Sequence, residues 1–303
     1  AITEHPIPGM IVNLKKMPLL ENREVARLES TMQNIADCLI DQFDEALEDP
    51  HDAREMLKTF LTFNLRRKTI STTKRERCSE GILLETPEGC FYDFLHNAHD
   101  LLTNFCHFDI PSLCSSEEYL QKGPSFIFLY HPALGPLYSI ISQKLKRGYL
   151  APHSELQLEI AEIDCEDLQL TGSLKIIAQN IMGNISSDGL IQYGEKNGKC
   201  ILKRVKVINQ GIDTHAKQCY WKNEIIRKQL CEIIIHGNGE FIAEDVTLKG
   251  DIRIVVDDGF RVRALQENDE IIFTKEAITF PSWQWDYCLS ETQIKLLKTK
   301  CIK

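Results

Sequence analysis

Two ten-residue stretches of this chain match in residue type at every step. Asp167-Leu168-Gln169-Leu170-Thr171-Gly172-Ser173-Leu174-Lys175-Ile176 returns 78 residues later as Asp245-Val246-Thr247-Leu248-Lys249-Gly250-Asp251-Ile252-Arg253-Ile254. Arg204-Val205-Lys206-Val207-Ile208-Asn209 is a weaker third copy. Each full copy reads as a strand, a turn at glycine and a further strand, because apolar and polar residues alternate on both sides of the turn. A unit that recurs in this way suggests a β-solenoid, in which each rung buries its apolar face against the next. Two unrelated strand-turn-strand pieces of a sandwich would carry the same alternation and the same turns, and stay open as the alternative. The texture around the copies agrees with a β-rich half after Pro152, with short alternating runs at 156–163, 168–177, 201–208, 233–235 and 252–256. The aromatic end, from Phe280 through Trp283, Trp285 and Tyr287 to Leu297, is expected to cover the open end of the stack.

The first half has a different pattern. From Arg27 the residues Leu28, Met32, Ile35, Ala36, Leu39, Ile40, Phe43 and Leu47 recur at helical spacing and predict an amphipathic helix ending before Pro50. Phe91, Phe94, Leu95, Ala98, Leu101, Leu102 and Phe105 predict a second helix. Residues 126–130, Phe-Ile-Phe-Leu-Tyr, predict a strand, which runs through His131 and a Gly-Pro turn into a helix on Leu137, Ile140, Ile141 and Leu145, stopped by Gly148. The chain is therefore expected to be α+β, with domains at 1–150 and 151–303. It opens on Ala1 rather than Met, in an unperiodic stretch containing His-Pro-Ile-Pro-Gly, as a fragment or a processed chain would.

Composition narrows the function classes. With 303 residues, 43% of them apolar, there is material for real cores. The formal net charge of −9 argues against nucleic acid or an anionic membrane as the main partner. No apolar run approaches the roughly 18–20 residues that span a bilayer. Eleven cysteines without a CxxC spacing fit reduced, mostly buried thiols, hence a reducing compartment such as the cytoplasm.

Against this acidic background, residues 66–77 place Arg66, Arg67, Lys68, Lys74, Arg75 and Arg77 among Thr and Ser hydroxyls. Guanidinium, ammonium and hydroxyl donors are what a di- or triphosphate requires, while a solvated basic loop is the plain reading. His96, His99, Cys106, His107 and Cys114 cluster in sequence, but no ligand spacing links them, so no metal site is assigned. His131 ends the predicted strand, where side chains often face a cleft, or else it only shapes the turn. GxSxG, GxxxxGK[ST] and HExxH are all absent, which leaves hydrolase, P-loop and metalloprotease readings without support.

Several blocks resemble a known family. Residues 27–37, Arg-Leu-Glu-Ser-Thr-Met-Gln-Asn-Ile-Ala-Asp, resemble the RLECTMQNIAD-like segment of UDP-sugar and UDP-glucose pyrophosphorylases, and the chain looks most like their plastid type, found in plants and some bacteria. Asn97-Ala98-His99-Asp100, the 126–136 block ending His-Pro-Ala-Leu-Gly-Pro, the 154–162 block Ser-Glu-Leu-Gln-Leu-Glu-Ile-Ala-Glu, Tyr220-Trp221-Lys222-Asn223, His236-Gly237-Asn238 and Trp283-Gln284-Trp285 extend the resemblance over nearly the whole chain. It implies the C-terminal part of an α/β nucleotidyltransferase domain followed by a β-solenoid domain. It also implies uridylyl transfer, in which glucose 1-phosphate attacks the α-phosphorus of UTP with Mg²⁺ present, to give UDP-glucose and pyrophosphate. Lys68 and Lys74 are then the expected catalytic cations, with Arg66, Arg67, Arg75 and His131 on the substrate phosphates.

The Gly-rich nucleotide loop and the metal-binding acids of those enzymes have no counterpart in this chain. The resemblance therefore covers only the C-terminal portion, with Mg²⁺ ligands outside the chain, and implies inactivity without the missing N-terminal catalytic portion. Expected partners are a nucleotide sugar or sugar phosphate and that missing portion, with no nucleic acid and no membrane; the expected location is the cytoplasm, or the plastid in a plant or alga. The other function class is a non-catalytic β-solenoid module for oligomerisation or partner binding.

Overall fold

A computed structural model of the chain describes residues 11–17, 23–29, 64–76, 83–193, 197–268, 270–279 and 281–300. These residues are mostly sheet with few helices. The chain divides into two compact units, Ala1–Asn64 and Leu65–Lys303. In the first, strands β1 (Ile11–Met17) and β2 (Arg23–Glu29) pair antiparallel, with Ile11 opposite Glu29 and Met17 opposite Arg23. This corrects the helix expected from Arg27. Seven consecutive backbone pairings claim Arg27, Leu28 and Glu29, and a ladder of that length overrides a periodicity that rested at this end on Leu28 alone. The rest of that expected helix, 30–50, lies outside the described residues, as does Arg77.

The second unit starts on a single helical turn, Arg66–Thr69. Helix α1 (Pro87–Asp100) begins four residues before the expected Phe91, because Thr86 caps it: its hydroxyl accepts the Gly89 N–H at 3.1 Å, and Pro87 occupies the first turn. Phe91, Leu95 and Ala98 form its buried face, which continues through the π-helical turn Leu101–Phe105. A short strand β3 (Phe108–Asp109), helix α2 (Ser116–Lys122) and the expected strand, β4 (Ile127–Tyr130), follow. Helix α3 (Tyr138–Lys144) passes directly into β5 (Leu145–Leu150). Gly148 therefore does not stop a helix. It lies within β5, where a Cβ would stand 2.4 Å from the Phe108 ring, so glycine is what lets β3 and β5 pair.

From β5 onward the chain winds through parallel strands that lie in register on the strands of the previous pass. β5 and β6 (Glu155–Glu159) make one pass, β7 (Glu162–Thr171) and β8 (Ser173–Ala178) the next. After an antiparallel hairpin of β9 (Gly183–Ile185) and β10 (Ile191–Tyr193), a third pass runs through β11 (Lys199–Lys203), β12 (Lys206–Ile208) and β13 (Cys231–Ile235). β14 (Glu240–Glu244), β15 (Thr247–Lys249) and β16 (Ile252–Val256) form the fourth. β17 (Phe260–Glu267) opens a fifth and turns back as the antiparallel β18 (Glu270–Ala277). The three copies found in the sequence lie side by side: Leu170 pairs with Val207, and Val207 with Leu248. Inward ladders such as Ile163–Cys200–Phe241–Val262 and Leu158–Ile176–Ile233–Ile254 fill one shared core. Each fully buried Leu or Ile side chain there contributes roughly 1.5–3 kcal/mol.

Each of the first four passes has a non-glycine residue of positive φ at the equivalent bend: Arg147 (51°), Asp167 (56°), Arg204 (52°) and Asp245 (56°). These residues alternate in charge along the stack. Arg147 grips Asp167 at 2.9 and 3.2 Å, and Arg204 grips Asp245 at 2.5 and 2.6 Å, each through two guanidinium nitrogens. A larger departure from the simple winding, the excursion 209–230, is tied back to β6. Arg227 binds the buried Glu155 carboxylate at 2.5 and 2.7 Å, and Gln157 adds hydrogen bonds to Glu155 and Asn223. Truncating one partner would strand a buried charge, so this contact fixes the excursion firmly.

The aromatic end does not cover the end of the stack. β19 (Trp283–Leu289) and β20 (Ile294–Lys300) form an antiparallel hairpin whose Trp283, Trp285 and Leu296 pack on Ile140 of α3, Ile201 of β11 and Ile242 of β14. It lies along the flank, because the outward positions of those strands carry apolar residues that need covering. β18 pairs with the last parallel strand instead.

The two repeat glycines are predicted to differ in importance. Both have positive φ, 110° at Gly172 and 82° at Gly250, but a Cβ at Gly172 would stand 2.1 Å from Asn209 Oδ1, whereas Gly250 has open space. Gly250→Val should cost about 1–2 kcal/mol from backbone strain alone. Gly172→Val should cost about 3 kcal/mol or more, because Asn209 must also give up its hydrogen bonds to Ser173 and Gly211. Denaturant unfolding of the two variants checks the order, and equal losses would refute it.

Candidate functional site

The basic stretch is strapped along α1 and the turn that precedes it. Asn97 Nδ2 donates to the Arg67 carbonyl at 2.8 Å, Arg67 Nη1 meets His96 Nδ1 at 3.1 Å, and Ser71 Oγ donates to Asp93 at 2.7 Å. Lys68 Nζ is hydrogen-bonded to Asp100, whose carboxyl it holds below the usual range with help from Asn104. Lys74 and Arg75 share Glu85, each at 3.2 Å, and hold that carboxyl low as well. Burial, assisted by Arg67, pushes the His96 imidazole below its ordinary value. Three of the candidate cations thus have carboxylate partners within the fold.

Two of the cations do share a cleft. Arg66 and Arg67 line a recess of about 330 Å³ together with Thr72, Tyr92 and two carboxylates, Asp93 and Glu85, that already hold donors of the basic stretch. Thr72 Oγ1 is buried there without a hydrogen-bond partner. Two guanidinium groups beside an unsatisfied hydroxyl can receive a phosphate oxygen. Lys68, Lys74, Arg75 and His131 are not among the residues that line it. Among the described residues no three His, Cys, Asp or Glu side chains stand close enough to hold a metal ion, and Cys106, one of those weighed from the sequence, is buried, its thiol pushed up to about 12.

His131 lies in a second and larger cleft, of about 800 Å³, between the start of β7, the start of β11 and the C-terminal hairpin. Its Nδ1 accepts the Ala133 N–H at 3.1 Å, capping the 3₁₀ turn Pro132–Leu134, which leaves Nε2 to carry the ring proton. Glu162, Asn197, Lys199, Trp285 and Tyr287 share the cleft. The sequence places Trp285 and Tyr287 in the expected end-cover, and Glu162 and Trp285 in blocks of the family resemblance, but assigns none of these residues to a site, because their juxtaposition depends on strand register. Glu162 pairs with Lys199, Lys199 with Glu240, and Glu240 with Arg261, a vertical row of alternating charge on four successive strands. The hairpin covers this row: the Trp285 N–H donates to Glu162 at 3.1 Å, Ser282 binds Glu240, and Lys298 binds Asp164 at 2.6 Å.

Beside the row, α3 contributes Lys144, which is fully buried. Its ammonium donates to the Ala161 carbonyl at 2.8 Å and to the Tyr287 hydroxyl at 3.3 Å, and burial lowers its pKa to about 8 despite the nearby Glu162.

Comparison with known proteins gives this geometry a context. Residues 145–299 match the family described as UGP3-like, C-terminal hexapeptide repeats. The chain is similar to UTP--glucose-1-phosphate uridylyltransferase 3, chloroplastic, of Arabidopsis thaliana, at 37% identity over 308 residues that include 96% of this chain and 34% of the relative. It thus spans about a third of the length of that curated relative. No solved structure matches it. Hexapeptide repeats imply a β-helix, in agreement with the sheet-rich content of residues 145–299.

Lys144 makes stability depend on alkaline pH. Its folded pKa of about 8 lies below the ordinary 10.5, so between those values the unfolded chain binds more protons and stability rises with pH. The contribution is complete above 10.5 and is lost as the pH falls through 8. From pH 8 to 10 the protein should gain on the order of 1 kcal/mol per pH unit relative to Lys144→Met. Parallel stability curves for the two proteins would refute the assignment.

Proposed function

We propose, from the premise that this chain belongs to the UGP3-like family with C-terminal hexapeptide repeats, that it is the C-terminal portion of a UTP–glucose-1-phosphate uridylyltransferase. The observation that carries this reading is 37% identity to such an enzyme over 96% of the chain. On this reading residues 1–150 are the C-terminal part of the nucleotidyltransferase domain, and the stacked passes of 151–303 are coils of a β-helix, the solenoid anticipated from the repeats. The substrates are glucose 1-phosphate and UTP, and the location is the plastid, as in the chloroplastic relative.

The recess of Arg66 and Arg67 is the phosphate-facing part of this portion. In-line transfer spreads negative charge over the moving phosphoryl oxygens, and fixed guanidinium groups stabilise that charge without reorganising. Lys68, Lys74 and Arg75 reach a phosphate by exchanging Asp100 and Glu85 for it, a swap that keeps each cation paired throughout. His131, expected on the substrate phosphates, lies in the other cleft and is not among the residues that line this recess. Mg²⁺ finds no cluster of ligands among the described residues, so no step through it is assigned to this chain.

A second reading, a non-catalytic module, draws support from the same ion pairs, since Asp100 and Glu85 already occupy three of the cations. Calorimetric titration of the chain with UTP and with UDP-glucose, in Mg²⁺ at low salt, separates the two. The enzyme reading expects saturable binding that weakens about 10- to 100-fold in Lys68→Ala, the value of one charge-assisted contact. The melting temperature should hardly change, because Lys68 and Asp100 form a partly exposed pair. Absence of heat with both ligands would mean that the missing N-terminal portion holds the nucleotide site and that this chain is its non-catalytic C-terminal module.

A further inference from the structure

The larger cleft has a wall built from aromatic rings that are fixed before any ligand arrives. Trp285 is held by two hydrogen bonds, its backbone N–H to Glu162 and its Nε1–H to the Ile163 carbonyl at 2.9 Å. Tyr287 is about half exposed, yet Lys144 holds it from behind through its hydroxyl and from 5.7 Å over its ring. Pinned rings offer contact area at little entropic cost.

Around these rings stand amides that donate and accept and carboxylates that accept. Gln284 and Asp286 lie on the hairpin, Glu162 on β7 and Asn197 just before β11. Asn197 is 4% exposed, and its Oδ1 is buried without any hydrogen-bond partner. An orphaned acceptor of this kind costs stability unless a ligand or water satisfies it.

Charge decides the ligand class. Lys199, the cation among the lining residues, is 1% exposed, flanked by Glu162 and Glu240 in the strand register and 5.8 Å from the Trp283 ring, so it does not present an exposed cation to a phosphate. An apolar ligand would leave the Asn197 acceptor unmet, and an anion would face Glu162 and Asp286. A ring with apolar C–H faces and hydroxyls around its rim satisfies both the aromatic wall and the amide and carboxylate groups. We propose that this cleft binds a neutral saccharide, at a place separate from the arginine-lined recess on α1 and independent of the uridylyltransferase reading.

The test is calorimetric titration of the whole chain with glucose, maltotriose and cellotriose, followed in parallel by tryptophan fluorescence. Saturable binding of at least one of these sugars is expected, weakened about tenfold or more by Tyr287→Ala and by Asn197→Ala, and retained in Tyr287→Phe, which keeps the ring. Gln284→Ala, at an exposed position of the hairpin, gives a further variant whose folding is not in question, and it should weaken binding several-fold. Excess UTP should not displace the sugar. No saturable binding of any of the three, equal binding by all the variants, or displacement by UTP would each overturn the proposal.

Discussion

Backbone hydrogen bonding between successive passes is the constraint on which the rest of this structure depends. A parallel strand can satisfy its N–H and C=O groups only if the next pass runs in register above it, so each side chain is stacked on the side chain at the equivalent position one pass earlier. Inward positions therefore form apolar ladders, Leu145–Cys165–Leu202–Ala243–Ala264 among them. Outward positions become columns, and a column of like charge would repel itself. The chain meets this by alternating sign, at the bend through Arg147, Asp167, Arg204 and Asp245, and on the flank through Glu162, Lys199, Glu240 and Arg261.

The flank column explains where the clefts are. Strands that present Ile201 and Ile242 outward beside a row of charges must be covered, and the C-terminal hairpin covers them with Trp283, Trp285 and Leu296. Where the hairpin meets the loop after β4, the cover is incomplete and the larger cleft opens. The basic stretch answers to a different element, α1, whose acids and imidazole hold its cations in place. Two clefts of different lining thus arise from two separate packing problems.

The repeat unit, its glycine turns, β4 and the buried face of α1 were legible because each rests on residues close together in sequence. The length of one pass was not. Leu145 pairs with Cys165 and Glu240 with Arg261, twenty and twenty-one residues on, but β9 and β10 enlarge one pass and the excursion 209–230 another. Those insertions leave only the 78-residue offset visible. β2 was misread because its partner strand precedes the helical pattern, and the hairpin was misplaced because nothing local says that Trp285 will meet Glu162. Among the candidate site residues, the donors of 66–77 were legible as a cluster. Their acceptors Asp93, Asp100 and Glu85 were not, since they are supplied from α1 and the turn that leads into it.

A stack of this kind ordinarily couples only adjacent passes, so that its stability is nearly a sum of nearest-neighbour terms and its ends can fray one pass at a time. The hairpin alters that arithmetic. Ser282 is bonded to Glu240 on the fourth pass while Trp285 is bonded to Glu162 and Ile163 on the second, and the segment between them crosses the third. It therefore acts as a splint across non-adjacent passes. The middle of the stack cannot open to hydrogen exchange without releasing the C-terminal strands, which joins what would be a one-dimensional series of small equilibria into one cooperative unit.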